Sequence, residues 1–206
     1  KKKKYEEISN IENLEEINLK LKEQKSKLEV KMLELCKKMN SLRKNAGEDL
    51  SKRINAELKD LEMNSAKFNI KIEMLKNLEF NLNGLDKVDF MICTNTGEEE
   101  KELTKIASGG EMSRVMLAIK TVLANTDKVP TLVFDEIDTG ISGKAANAVA
   151  EKMKIISKNH QIICITHLAS IAAKGDYNYF ISKSVNNNKG YFRNSEGKVR
   201  YTIVTE

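Results

Sequence analysis

Thr131-Leu132-Val133-Phe134-Asp135-Glu136-Ile137-Asp138-Thr139-Gly140-Ile141-Ser142-Gly143 is the stretch on which the reading of this chain turns. Thr131 to Phe134 form a short apolar run of strand-formers behind Pro130, the one proline of the chain. Two acids, Asp135 and Glu136, follow at once, and then a Gly-rich turn. An apolar run this short between turn signals suits a buried strand of a parallel sheet. Ligands of open α/β sheets bind beyond the carboxyl ends of the strands, so both acids project towards a ligand. One carboxylate there can hold Mg²⁺ against phosphate oxygens. A second can orient or deprotonate a water. For the segment by itself, a strand running into a solvated turn is the alternative.

A second constellation lies upstream. Ser108-Gly109-Gly110-Glu111 precedes an apolar-periodic helix through Met112, Val115, Met116, Ile119 and Leu123. The glycines allow close backbone approach, and Ser108 to Glu111 fits the S-x-x-E capping box. Free N–H groups at such a helix start suit an anion; a well-capped helix is the plainer alternative. Downstream, a helix is expected from about Lys144 to Ser157 and a buried strand from Gln161 to Thr166, with His167 at its carboxyl end. A histidine there, beside an Asp-Glu strand, can report on a γ-phosphate. A phosphate-cradling loop needs G-x-x-x-x-G-K-[ST]. The nearest string, Gly143-Lys144-Ala145, lacks the hydroxyl residue and has Asp138 where the first glycine belongs. The chain can complete a nucleotide site but cannot cradle the phosphates itself.

The amino-terminal part has a different rhythm. Leu14, Leu21, Leu28, Leu35 and Leu42 recur every seven residues, with Ile11, Asn18, Lys25, Met32 and Met39 on the other seam position. Sustained heptads with charged flanks indicate a coiled coil, an amphipathic helix packed on its own domain being the alternative. The chain offers no second heptad run, so a partner helix comes from elsewhere. Gly47 is expected to break or bend the helix, which resumes from Glu48 to about Leu61 with Leu50, Ile54, Leu58 and Leu61 on one face. Strict alternation over Lys67–Glu73 marks a strand. Lys87–Cys93 reads as another, after a turn at Leu82-Asn83-Gly84, and Asn95-Thr96-Gly97 as a loop. The expected boundary falls near Met63, giving a helical part over 1–62 and a lobe over 63–206. Beyond Tyr177, strands are expected at Tyr177–Lys183, Tyr191–Arg193 and Lys198–Val204, with turns at Asn186–Gly190 and Ser195–Gly197.

Composition agrees with a long solvated helix beside a modest core: 32% charged, 5% aromatic and no Trp in 206 residues. The net charge of +5 permits contact with nucleic acid without demanding it. Lys1–Lys4 could grip phosphates or be a solvated terminus. Cys36, Cys93 and Cys164 lie far apart, and His160 and His167 are the only histidines, so neither a zinc site nor a disulfide framework is indicated. No signal peptide and no long apolar run is visible, so a cytoplasmic protein without a membrane partner is expected.

Taken in order, these elements resemble the C-terminal half of an ABC-type ATPase head of the SMC class. Ser108-Gly109-Gly110-Glu111 resembles the signature, and Leu132-Val133-Phe134-Asp135-Glu136 resembles Walker B with its catalytic glutamate. Thr139-Gly140-Ile141-Ser142-Gly143 falls at the D-loop, and His167 at the switch histidine. The wording of Lys105–Arg114, Phe134–Gly143 and Thr166–Ala169 is similar to that of the RecN family of bacterial DNA-repair proteins. The resemblance covers Leu42 to Lys183. Ser142 stands where the D-loop usually ends in Asp, and Lys198–Glu206 shows no C-terminal helix of the family type.

The resemblance implies an α/β fold, the C-terminal lobe of a P-loop NTPase head. Its sheet would be mostly parallel, with flanking helices, and a long coiled-coil helix would precede it. It implies an N-terminal Walker A half of the same protein as partner, a second head in a homodimer, and DNA as target in double-strand-break repair and recombination. It implies ATP and Mg²⁺: Asp135 holding Mg²⁺ through water, Glu136 activating the attacking water, His167 at the γ-phosphate. Ser108, Gly109, Gly110 and Glu111 would then meet the ATP of the opposite head. The chain alone would be inactive. Another SMC-like chromosome-organising ATPase is the near alternative. A non-catalytic coiled-coil scaffold is the distant one, and it has no chemical need of the Asp135–Glu136 pair.

Overall fold

A computed structural model describes residues 2–75, 80–95, 97–180 and 201–205, with side chains described within 14–180. The strand expected at Tyr191–Arg193 and the turns at Asn186–Gly190 and Ser195–Gly197 lie outside the described residues. So do Lys198–Arg200 and the end of the Tyr177–Lys183 segment.

The chain opens with one helix, α1, Lys2–Asp60, of 59 residues. Gly47 does not break it; it is buried within the helix. A mid-helix glycine costs only about 1 kcal/mol relative to Ala, which strong helix-formers on both sides outweigh. The helix stops for a definable reason. Met63 N–H bonds to Leu58 O at 2.9 Å and Glu62 N–H to Lys59 O at 3.0 Å, with Glu62 at φ 61. That is a Schellman close with a glutamate in the left-handed position where glycine is usual.

Strands β1 (Lys67–Met74), β2 (Asp86–Cys93) and β3 (Lys101–Glu102) form a three-stranded sheet in that order. The third is a two-residue addition that periodicity could not reveal, pairing antiparallel through Met91↔Glu102. A 3-10 turn, Leu103–Lys105, leads to α2 (Gly109–Leu123). Then follow β4 (Thr131–Phe134), α3 (Gly143–Ile156), β5 (Gln161–Thr166), α4 (Ala169–Ala172), β6 (Tyr177–Phe180) and β7 (Tyr201–Thr205). The second sheet runs β4-β5-β7-β6, parallel at every pairing.

The described residues fall into two compact units. In the first, Lys1–Ala46 with Ile72–Val88, the turn at Gly84 (φ 88) packs on the helix: a Cβ there would lie 3.5 Å from Met39 and 3.6 Å from Cys36. Asp86 accepts from Asn40 at 2.7 Å and Arg43 at 2.8 Å. The heptad leucines Leu14, Leu21, Leu28, Leu35 and Leu42 stay 56–60% exposed.

The second unit, Gly47–Lys71 with Asp89–Glu206, holds the main core. Ile54, Leu58 and Leu61 reach it from α1, as their spacing predicts, and Leu50 packs against it. Val115, Leu117 and Ala118 come from α2, Val149, Met153 and Ile156 from α3, Leu132 and Phe134 from β4, and Ile162 and Cys164 from β5. Fully burying such a side chain contributes roughly 1.5–3 kcal/mol. Two expectations change here. Strand β4 is covered on one face only, Val133 being 63% exposed on the other. The face of α2 that is buried runs through Gly110, Arg114, Val115, Leu117 and Ala118, whereas Met112, Met116 and Ile119 are half-buried.

Candidate functional site

Three chain segments converge at the carboxyl ends of β4 and β5. The first is the start of α2. Ser108 is its N-cap with extended backbone (φ −90, ψ 119), and its hydroxyl accepts from Glu111 N–H at 3.4 Å. The serine half of the expected capping box is present, and the first turn presents Gly109 and Gly110 without side chains.

The second segment is the acidic turn. Asp135 is exposed at the end of β4, and its Oδ1 accepts the Glu136 N–H at 2.9 Å. Glu136 sits in the left-handed region at φ 57, unusual for a residue with a Cβ. That backbone turns it towards α2. A Cβ added at Gly109 would lie 2.0 Å from Glu136 Oε2, and one at Gly110 would lie 2.9 Å from Glu136 O and 3.0 Å from Thr139 Cβ. The two glycines form a notch that the acidic turn fills, so here their lack of side chain is a packing requirement. Gly140 (φ 74) and Gly143 (φ 53) carry the turn through left-handed positions. Ile141 packs against the core, and Ser142 is the N-cap of α3 without a side-chain cap bond.

The third segment is the end of β5. Its register with β4 sets Phe134 beside Cys164, so Asp135–Glu136 and Thr166–His167 leave neighbouring parallel strands at one end. His167 is exposed, and its backbone N–H donates to Asp138 Oδ2 at 2.7 Å. His160, by contrast, is buried with its ring nitrogens against Val129 O (2.7 Å) and Ala124 O (3.1 Å), a structural placement.

Sequence reasoning missed the residues that bind these segments together. Asp138, only 7% exposed, accepts from the Thr166 hydroxyl as well as from His167 N–H. Arg114, 8% exposed, donates from Nη1 to Ile137 O (3.2 Å) and Thr139 O (2.9 Å). Ser113 donates to Asp135 O at 2.7 Å. Burial pulls the Arg114 guanidinium below its ordinary range, while Glu111 acts to raise it. Burial pushes the Cys164 thiol up to about 12, with Asp138 and Asp135 adding to the shift. One signal was available for Arg114: it lies four residues after Gly110 and three before Leu117, on the stripe that faces the core.

Among the described residues no group of three or more His, Cys, Asp or Glu could hold a metal ion. The exposed Asp135 carboxylate is a hard oxygen donor of the kind Mg²⁺ takes when substrate phosphates and water complete its shell. Beside β4, Met112, Ser113, Met116, Lys120, Leu132, Val133 and Phe134 line a largely apolar recess of about 220 Å³. No described helix is long and apolar enough to cross a membrane.

No protein-family model matches the chain. It is 38% identical over 193 residues to a DNA repair protein RecN of Bacillus subtilis, covering 87% of this chain and 34% of that one. It is 42% identical over 147 residues to RecN of Halalkalibacterium halodurans, covering 70% and 26%. For RecN of Treponema pallidum the figures are 46% over 148 residues, 69% and 26%. The chain thus spans about a quarter to a third of the length of these curated relatives. In fold it is similar to a Smc head domain with an extended coiled coil from Pyrococcus furiosus, at TM-score 0.51 and 20% identity, over 78% of this chain and 38% of that one. A Smc head domain with a coiled coil and joint from Pyrococcus yayanosii gives 0.50 and 21%, over 90% and 35%.

Proposed function

We propose, from the premise that the chain belongs with the RecN DNA repair proteins in sequence, that it is the C-terminal lobe of a split ATPase head that works on broken DNA. The observation that carries this reading is the meeting of three elements at one end of a parallel sheet. They are a capped, glycine-lined helix start, an Asp-Glu pair on β4 and a histidine on β5.

The chemistry divides among them. ATP lies between two heads. Asp135 would hold Mg²⁺, which when bound would supply positive charge against the phosphates. Glu136 takes the proton of the attacking water, and His167 contacts the γ-phosphate. Ser108, Gly109 and Gly110 receive the nucleotide of the opposite head on the N–H groups of α2, with Glu111 holding the cap. The Thr139–Gly143 turn lies at the head-to-head contact. In the conformation described, the Glu136 carboxylate rests at Gly109, so hydrolysis calls for it to leave that notch.

The phosphate-cradling loop comes from a Walker A half of the same protein. Strand β4 ends the sheet order, Val133 is exposed on it, and the apolar recess lies alongside. These features support docking of that half here. The exposed heptad leucines support a partner helix from the same source. The expected setting is the bacterial cytoplasm, at DNA.

The test pairs the chain with a Walker A half. The chain alone should not hydrolyse Mg-ATP, and the pair should. Glu136→Gln keeps shape but removes the base, so turnover should fall by about 10²- to 10⁴-fold while ATP still binds and holds the heads together. Near-parental turnover by Glu136→Gln, or hydrolysis by the chain alone, would sink the reading.

A further inference from the structure

We infer that Arg114, Asp138 and Thr166 form a positioning relay that ties the first turns of α2 to His167, coupling the two nucleotide-facing ends of the lobe. The inference rests on the ATPase reading above for what the two ends face; the relay itself is a matter of geometry.

The first link is Arg114. Its Nη1 reaches Ile137 O and Thr139 O, the carbonyls on either side of Asp138. Ser113 holds Asp135 O from the same turn of α2. Alternate residues of the acidic turn, at 135, 137 and 139, are therefore bonded to two consecutive side chains of one helix. Gly110 permits this approach, since a Cβ there would lie 3.2 Å from Arg114 Nη1. The second link is Asp138, whose Oδ2 accepts from both Thr166 Oγ1 and His167 N–H. Bonds to an ionised carboxylate are roughly twice as strong as neutral ones. The third link is Thr166, which is fully buried and accepts from Leu168 N–H at 3.1 Å. The backbone on both sides of His167 is thereby fixed to the side chain at 138.

A displacement of α2 must therefore move the 137–139 backbone, and with it the carboxylate that holds His167. Two further features suit a second arrangement of this segment. Glu136, which leads into it, sits at φ 57. The Arg114 Nε is buried without a hydrogen-bond partner, and Arg114 lines a cavity of about 210 Å³ with Glu62, Glu111, Gly140 and Ile141. A spare donor and room beside it are what a shifted turn would need.

Two measurements test the relay. The first is hydrogen exchange by mass spectrometry on the 206-residue chain, reading the His167 amide in Arg114→Lys, Asp138→Asn, Asp138→Ala, Thr166→Val and Thr166→Ser. Arg114→Lys keeps the charge but loses the reach to two carbonyls. It should speed exchange at His167, as should Asp138→Ala and Thr166→Val, while Thr166→Ser stays at the parental rate. The second is ATP turnover of the chain paired with its Walker A half. Arg114→Lys and Asp138→Asn should each lower kcat by between about 2- and 30-fold, the span of couplings carried along such networks, with ATP affinity of a single head unchanged. The double variant should fall no further than the worse single one, because both cut one path. A His167 amide indifferent to Arg114→Lys overturns the relay, as do multiplicative effects in the double variant. A pair that hydrolyses no ATP at all refutes the ATPase reading instead, and the exchange result still judges the relay.

Discussion

Replacing Gly110 with Ala should cost stability, and replacing Gly109 should not, although the nearer contact is at Gly109. At Gly110 the new Cβ would meet Glu136 O at 2.9 Å, Thr139 Cβ at 3.0 Å and Arg114 Nη1 at 3.2 Å. The first is backbone and the second is fixed close to it, so relief requires the turn to move off α2 as a body. Overpacking of this kind costs about 1–3 kcal/mol. The helix propensity of Ala returns at most about 1 kcal/mol. A net loss of up to about 2 kcal/mol remains, and at roughly 2–4 °C per kcal/mol for a chain of this size the expected fall in Tm is up to about 8 °C. At Gly109 the atom 2.0 Å away is Glu136 Oε2, the end of a flexible side chain that can rotate into solvent. There the strain is released by a change of rotamer, and Tm should stay within about 2 °C of the parent, the propensity gain offsetting the lost contact. Calorimetric melts of parent and both variants, run side by side, decide it. Gly110→Ala melting at or above the parent, or Gly109→Ala falling as far, would refute the reasoning.

Ser108→Arg sets a bulky side chain at the helix start that is to meet the opposite nucleotide; in the paired protein it should leave ATP binding to one head intact and abolish ATP-dependent head association, read by sedimentation. Leu28→Lys places a charge in the exposed leucine seam, and sedimentation should show the isolated chain self-associating less than the parent; equal association would put the contact elsewhere. The Cys164 thiol, pushed up to about 12 from an ordinary 9.0, should resist iodoacetamide in the native chain at about pH 8, while the half-buried Cys93 reacts. Because the folded value lies above the unfolded one, the contribution of Cys164 to stability is complete below about pH 9 and is lost as pH rises towards 12. Denaturation that is indifferent to a Cys164→Ala change across that range would count against it.

By itself the sequence determined what local periodicity and local chemistry control. The strand at Thr131–Phe134, the strand at Gln161–Thr166 and the cap at Ser108 lie where the residues placed them, because each is specified by neighbours within a few positions. The order of acids, glycines and histidine likewise needed no coordinates. Tertiary structure decided what depends on residues far apart in the chain. Gly47 is carried through α1 and buried there, a placement that its neighbours in the sequence do not reveal. Whether each face of β4 is covered is settled by packing, and on one of them Val133 stays exposed. Asp138 reads as one more turn acid until β5 brings Thr166 and His167 to it across 28 and 29 positions. Arg114 reads as a charge on a helix until the 137–139 backbone folds over it, and a guanidinium buried against carbonyls 23 and 25 positions away is set by packing, which no window of neighbouring residues contains.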